Sequence, residues 1–120
     1  MGIKITEIEF VVPDNKSDLN NLESEFYPWK TDEILKKTGV NTRHIADSKE
    51  TALDLAAKAS NLILRNQKKN SIDGIIFCTQ SPDYIIPSNS FLLQDKLSLR
   101  NDIFNFDFNH ACSGYIYSLI

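Results

Sequence analysis

"IFNFDFNHACSGYIY", residues 103–117, decides how the rest of the chain is read. Successive side chains of a strand point to opposite faces, so the alternation puts Phe104, Phe106 and Phe108 on one face. The alternation then stops, and Cys112-Ser113-Gly114 opens what reads as a helix. A cysteine at a strand-to-helix junction is placed to react. Amides and the dipole at a helix start stabilise a thiolate, and the thiolate attacks carbonyls. The cysteine's own N–H, with one from elsewhere, can form an oxyanion hole. Ser113 and Gly114 are small enough to let a substrate approach the backbone. Free cysteines are also common as inert apolar fillers, and position alone leaves both readings of Cys112 open. Cys78, mid-run among apolar residues, is read as the inert kind.

Outward from this stretch the chain alternates in type. "GIIFCTQ", residues 74–80, is an unbroken apolar run, as in a strand covered on both faces. "SPDYIIPSN", residues 81–89, is a loop with two prolines, and "SNSFLLQDKLSL", residues 88–99, is a helix capped at Ser88 or Ser90. "KETALDLAAKASNLILRNQKK", residues 49–69, is the clearest helix. Ala52, Leu55, Ala56, Ala59, Leu62 and Ile63 form its apolar stripe, and Thr51 with Asp54 forms a capping box. Lys68 and Lys69 fall in its last turn, where the dipole favours cations. "IKITEIEFVV", residues 3–12, alternates as a strand ended by Pro13. "SDLNNLESEF", residues 17–26, reads as a short helix capped at Ser17. "TDEILKK", residues 31–37, reads as another, with Thr31 as cap and Gly39 past its end. "VNTRHIA", residues 40–46, is extended. Strands alternating with helices give an α/β fold with a mixed, mostly parallel sheet flanked by helices.

Bulk properties exclude several classes. With 120 residues, 42% hydrophobic and 24% charged, the composition suits one globular domain. A net charge of -3, with no basic run longer than a Lys pair, argues against nucleic acid. No apolar run approaches the ~20 residues that cross a bilayer. Cys78, Cys112, His44 and His110 make neither a disulfide framework nor a metal spacing. A reduced, cytoplasmic protein is expected.

Three segments carry a family resemblance. "TGVNTRHIA", residues 38–46, "DGIIFCTQSPDYIIPS", residues 73–88, and "FDFNHACSGYIYSL", residues 106–119, agree in order and spacing. Together they resemble the β-ketoacyl-acyl-carrier-protein synthase III family of thiolase-like condensing enzymes. The third, which resembles that family's nucleophile motif, is the most specific. The resemblance implies a thiolase-like fold, of which residues 1–120 make an incomplete N-terminal domain ending just inside the nucleophile helix. It implies that Cys112 takes an acyl group from acyl-CoA or an acyl-ACP donor. The acyl-cysteine is then attacked by the carbanion of decarboxylating malonyl on acyl carrier protein. It implies a homodimer and no resident cofactor. The family's histidine and asparagine belong to its second half, so condensation is not expected of these residues alone.

The same resemblance assigns substrate contacts. Lys37 stands for an arginine that flanks the CoA adenine, and Glu33 for the tryptophan that stacks on it. Arg43 touches a phosphate or orders its loop, and Ile86 reaches the partner's acyl pocket from "PDYIIPS". Trp29 is read as a hydrophobic anchor, and His110 as a filler of its junction or a solvent-facing residue. The altered adenine platform keeps a specialised condensing enzyme of secondary metabolism in view. A non-catalytic dimerisation or interaction module derived from such an enzyme is the other alternative.

Overall fold

The computed structural model describes residues 2–21 and 30–120. Trp29, and the part of the expected 17–26 helix beyond residue 21, lie outside the described residues. Two compact units are formed: Val12–Glu50, and the residues up to Val11 together with Thr51–Ile120.

In the first unit, β1 (Asn15–Asp18) pairs antiparallel with β2 (Thr42–Ile45), joining Asn15 to Ile45 and Asp18 to Thr42. Ser17 therefore sits inside a strand rather than capping a helix, and its hydroxyl accepts from Arg43 Nη2 at 3.2 Å. The ladder has a second side-chain tie from Thr42 Oγ1 to Asp18 Oδ1 at 3.0 Å. Helix α1 (Thr31–Thr38) carries Asp32 and Glu33 in its first turn and Lys36 and Lys37 in its last, matching the helix dipole. Its N-cap is Lys30, so Thr31 is the first helical residue and not the cap. Gly39 ends the helix at φ 70, a left-handed conformation natural to glycine, and its N–H reaches Leu35 O at 2.8 Å.

The second unit is built on a parallel pair, β3 (Gly74–Cys78) and β4 (Phe104–Phe108), in register from Gly74 with Phe104 to Cys78 with Phe108. Helices α2 (Ala52–Ile63) and α3 (Asn89–Lys96) cover one face. The core lies there: Leu53, Ala57, Phe77, Leu93, Leu97, Leu99 and Ile103. Helix α2 begins at the expected capping box, with Thr51 Oγ1 accepting from Asp54 N–H and Asp54 Oδ2 accepting from Thr51 N–H, both at 3.2 Å. It is buried most deeply at Leu53 and Ala57, one step round from the expected stripe, whose members are only half-buried. The helix ends at Ile63, so Lys68 and Lys69 lie beyond it, and Lys69 Nζ donates instead to Leu97 O.

Two further expectations change. The run at residues 74–78 is closed over on one face by α2 and α3, while its other face is covered only in part among the described residues, leaving Ile76 exposed. Residues 3–12 form no strand, and Ile3, Ile5, Ile8 and Phe10 are exposed. A strand is fixed by its ladder partner, and no described strand pairs with this segment. No described helix is long and apolar enough to cross a membrane.

Candidate functional site

The C-terminal edge of a parallel sheet is where open α/β folds place their ligands. On this edge β4 runs into a 3₁₀ turn, Ala111–Ser113, and then helix α4 (Gly114–Ser118). Cys112 is the middle residue of that turn and is exposed. Ala111, directly before it, has φ 45, which a side chain disfavours. Such a conformation costs about 1–3 kcal/mol and persists only where neighbours hold it. The turn braces itself: Ser113 donates to His110 O from its N–H at 3.1 Å and from Oγ at 2.7 Å. Gly114 N–H closes on Ala111 O.

Helix α4 lies on the sheet face opposite α2 and α3, against β3. Gly114 makes that approach possible. A Cβ there would stand 2.2 Å from Cys78 Sγ. On the same face a row of rings runs along β4 and into α4. Phe104 stacks on Phe106 at 6.1 Å, and Phe106 meets Phe108 at 5.7 Å. His110 follows edge-on to Phe108 at 5.2 Å and tilted to Tyr117 at 5.0 Å, filling the junction between strand and helix.

Beside the turn an open cleft of about 270 Å³ is bounded by Thr79, Pro82, Tyr84, Ile85, Ser88, Asp107, Phe108 and Asn109. Its lip is fixed by carboxylates at two helix starts. Asp107, on the inner face of β4, accepts from Asn89 N–H at 2.8 Å and Ser90 N–H at 2.9 Å. Asp107 thus caps α3, whereas Ser88 occupies the N-cap position without a side-chain bond and Ser90 Oγ has no partner. Asp83 Oδ1 accepts from Asn89 Nδ2 at 3.2 Å and, more loosely, from Leu53 N–H at 3.4 Å. Asn89 Oδ1 accepts in return from Asp83 N–H at 3.1 Å.

Cys112 and Ile86 belong to the 51–120 unit, and Lys37 and Arg43 to the 12–50 unit. Ile86 is 85% exposed at the tip of the 82–88 loop, outside the cleft lining. Lys37 is exposed in the last turn of α1, and Arg43 is half-buried, its Nε without a partner. His44 Nδ1 lies 2.6 Å from Pro13 O. A carbonyl only accepts, so that nitrogen carries the proton. No described group of side chains could hold a metal ion.

Asp107 and the Asp83–Asn89 link were not singled out by the sequence reading, and Gly114 was read there as room for a substrate, not as room for Cys78. Asp107 had a signal. It breaks an apolar strand on the side away from the phenylalanines, and an acidic group facing a core requires donors.

No family model matches the chain. A putative 3-oxoacyl-[acyl-carrier-protein] synthase 3 of Campylobacter jejuni is 40% identical over 121 aligned positions, 97% of this chain and 34% of that protein. A β-ketoacyl-[acyl-carrier-protein] synthase III of Ehrlichia canis is 43% identical over 72% of this chain and 27% of its own length. The crystal structure of a 3-oxoacyl-(acyl-carrier protein) synthase from Burkholderia xenovorans superposes with a TM-score of 0.84 at 33% identity, covering 93% of this chain and 34% of that one. The chain spans about a third of the length of the curated relatives it matches. The fold of these neighbours is the expected thiolase-like α/β fold.

Proposed function

We propose, from the premise that the chain belongs to the β-ketoacyl-[acyl-carrier-protein] synthase III family, that Cys112 is the nucleophile of a condensing enzyme of fatty-acid synthesis. The observation that carries this reading is an exposed cysteine on a strained turn at the C-terminal edge of parallel strands. The Cys112 thiolate adds to the carbonyl of an acyl-CoA thioester. The tetrahedral intermediate collapses, the C–S bond to CoA breaks, and CoA leaves as its thiolate. Malonyl on acyl carrier protein then loses carbon dioxide. The carbanion attacks acyl-Cys112, and the cysteine thiolate departs. The residues that drive decarboxylation belong, on this reading, to the part of the family's length that this chain does not span.

Supporting roles follow in the same reading. Lys37 takes the place of an arginine that flanks the adenine of an acyl-CoA donor, and Arg43 touches a phosphate or orders its loop. Ile86, bare at its loop tip, enters the acyl pocket of a second copy in a homodimer. Residues 1–120 are the incomplete N-terminal part of one thiolase-like domain, the enzyme is cytoplasmic, and it needs no resident cofactor. A carrier-protein donor, as in a specialised condensing enzyme, is favoured by one feature. Glu33, ion-paired to Lys30 at 3.6 Å, stands where an adenine-stacking ring would be.

Acetyl-CoA with the full-length protein provides the test. Intact-mass measurement is expected to find one acetyl group on the wild type and none on Cys112→Ala. A wild type that takes no acyl group from acetyl-CoA or acetyl-carrier protein, or a Cys112→Ala variant that still does, overturns the proposal.

A further inference from the structure

Gly114 has φ -55, an ordinary helical value that any residue adopts. Backbone conformation therefore gives no reason for a glycine here, and the reason is space. An added Cβ would meet Cys78 Sγ at 2.2 Å, far inside van der Waals contact. The next nearest atoms are Phe108 Cε2 at 3.6 Å and Cys78 Cβ at 3.7 Å, both ordinary contacts. The sulfur alone occupies the place.

We infer that Cys78 is a positioning residue for Cys112, its sulfur against the bare Cα of Gly114 being the stop that sets where the nucleophile turn rests on the sheet. The hydrogen bonds from Ser113 to His110 O and from Gly114 to Ala111 O are internal to the turn and its flanks. They fix the shape of the turn without fixing its height above β3. The left-handed Ala111 needs an outside constraint to persist. Two such constraints are present, the rings around His110 on one side and the Cys78–Gly114 contact on the other. Cys78 is one step from Thr79, which bounds the cleft, so the same sulfur ties the nucleophile's height to the cleft wall. The inference deepens the reading of Cys112 as nucleophile and rests on it.

The test is a size exchange in the full-length protein, read by site-resolved mass spectrometry of Cys112 alkylation with iodoacetamide across pH. Gly114→Ala is expected to slow Cys112 alkylation about tenfold or more and to displace its pH–rate midpoint, because small misplacements of a reacting group cost that much. Cys78→Ala in the Gly114→Ala background removes the sulfur and is expected to restore both rate and midpoint. If Gly114→Ala alone is insoluble, recovery of soluble, wild-type-rate protein in the double variant is the supporting result. An unchanged profile in Gly114→Ala, or a double variant no better than the single, overturns the inference. Acetyl transfer from acetyl-CoA and from acetyl-carrier protein is measured in parallel. Rescue of alkylation in a protein that takes no acetyl group keeps the spacer and overturns the nucleophile assignment instead.

Discussion

The two faces of the β3–β4 sheet are made by the same ten residues and are used in opposite ways. The inner face, Ile75, Phe77, Asn105 and Asp107, is closed by α2 and α3, and it binds both Asp107 oxygens and Asn105 Nδ2, while Asn105 Oδ1 has no partner. Asn105 Nδ2 donates to Gln94 Oε1 at 2.7 Å, as Asp107 accepts from the start of α3. The outer face carries Ile76, Cys78 and three phenylalanines, and α4 rests on it at Gly114. Hydrophobicity is therefore a poor guide to which face is the core. The outer face is the more apolar, but the inner one holds the fold because α2 and α3 close over it and Asp107 is bound there by the start of α3. The outer face instead carries the close approach of Gly114 to Cys78.

The largest expected effect tests that contrast directly. Phe77→Ala removes a ring that is 7% exposed and should lower stability by about 3–5 kcal/mol in urea unfolding. Phe106→Ala, on a strand position 50% exposed, should lose about 1 kcal/mol, the worth of its ring contacts. Equal losses would break the distinction between the faces. Next comes Asp107→Asn, which keeps one acceptor and replaces the other by a donor facing an N–H. A loss of about 1–3 kcal/mol is expected from the unfolding midpoint, and none if Ser88 caps α3 instead. The smallest effect is electrostatic. Lys96, hydrogen-bonded to Asp54 at 2.7 Å, and the Thr51 N–H hold the Asp54 carboxyl below its ordinary value of 3.8. A lowered folded pKa contributes stability that is present above the ordinary value and is lost as pH falls through the lowered one. Thermal unfolding should therefore show a slightly shallower acid loss below about pH 4 in Lys96→Gln, and high salt should erase the difference.

Much of this was legible because the signals were local. Alternation marked Phe104 to Phe108 as a strand, and Thr51 with Asp54 marked the start of α2. The motif around Cys112 located the candidate site. What escaped depends on distance along the chain. The cap of α3 comes from Asp107, and no rule confined to "SNSF" can supply it. The glycine at 114 answers a sulfur at 78, a contact that exists only once β3 and α4 are packed. Residues 3–12 have the alternation of a strand, but pairing is decided by a neighbour, and the described residues offer none.

The loop from Thr79 to Ser88 is anchored at Asp83, which holds Asn89 through both its carboxylate and its amide. Beyond that anchor, Tyr84, Ile85 and Ile86 are 61%, 93% and 85% exposed. Mutational tolerance along the cleft wall is thus unevenly distributed. Substitutions at Tyr84 and Ile85 alter what borders the opening without touching a helix start. A change at Asp83 or Asn89 unsettles two helices together. The rim of the wall can therefore change freely, while its base is bound to the starts of two helices.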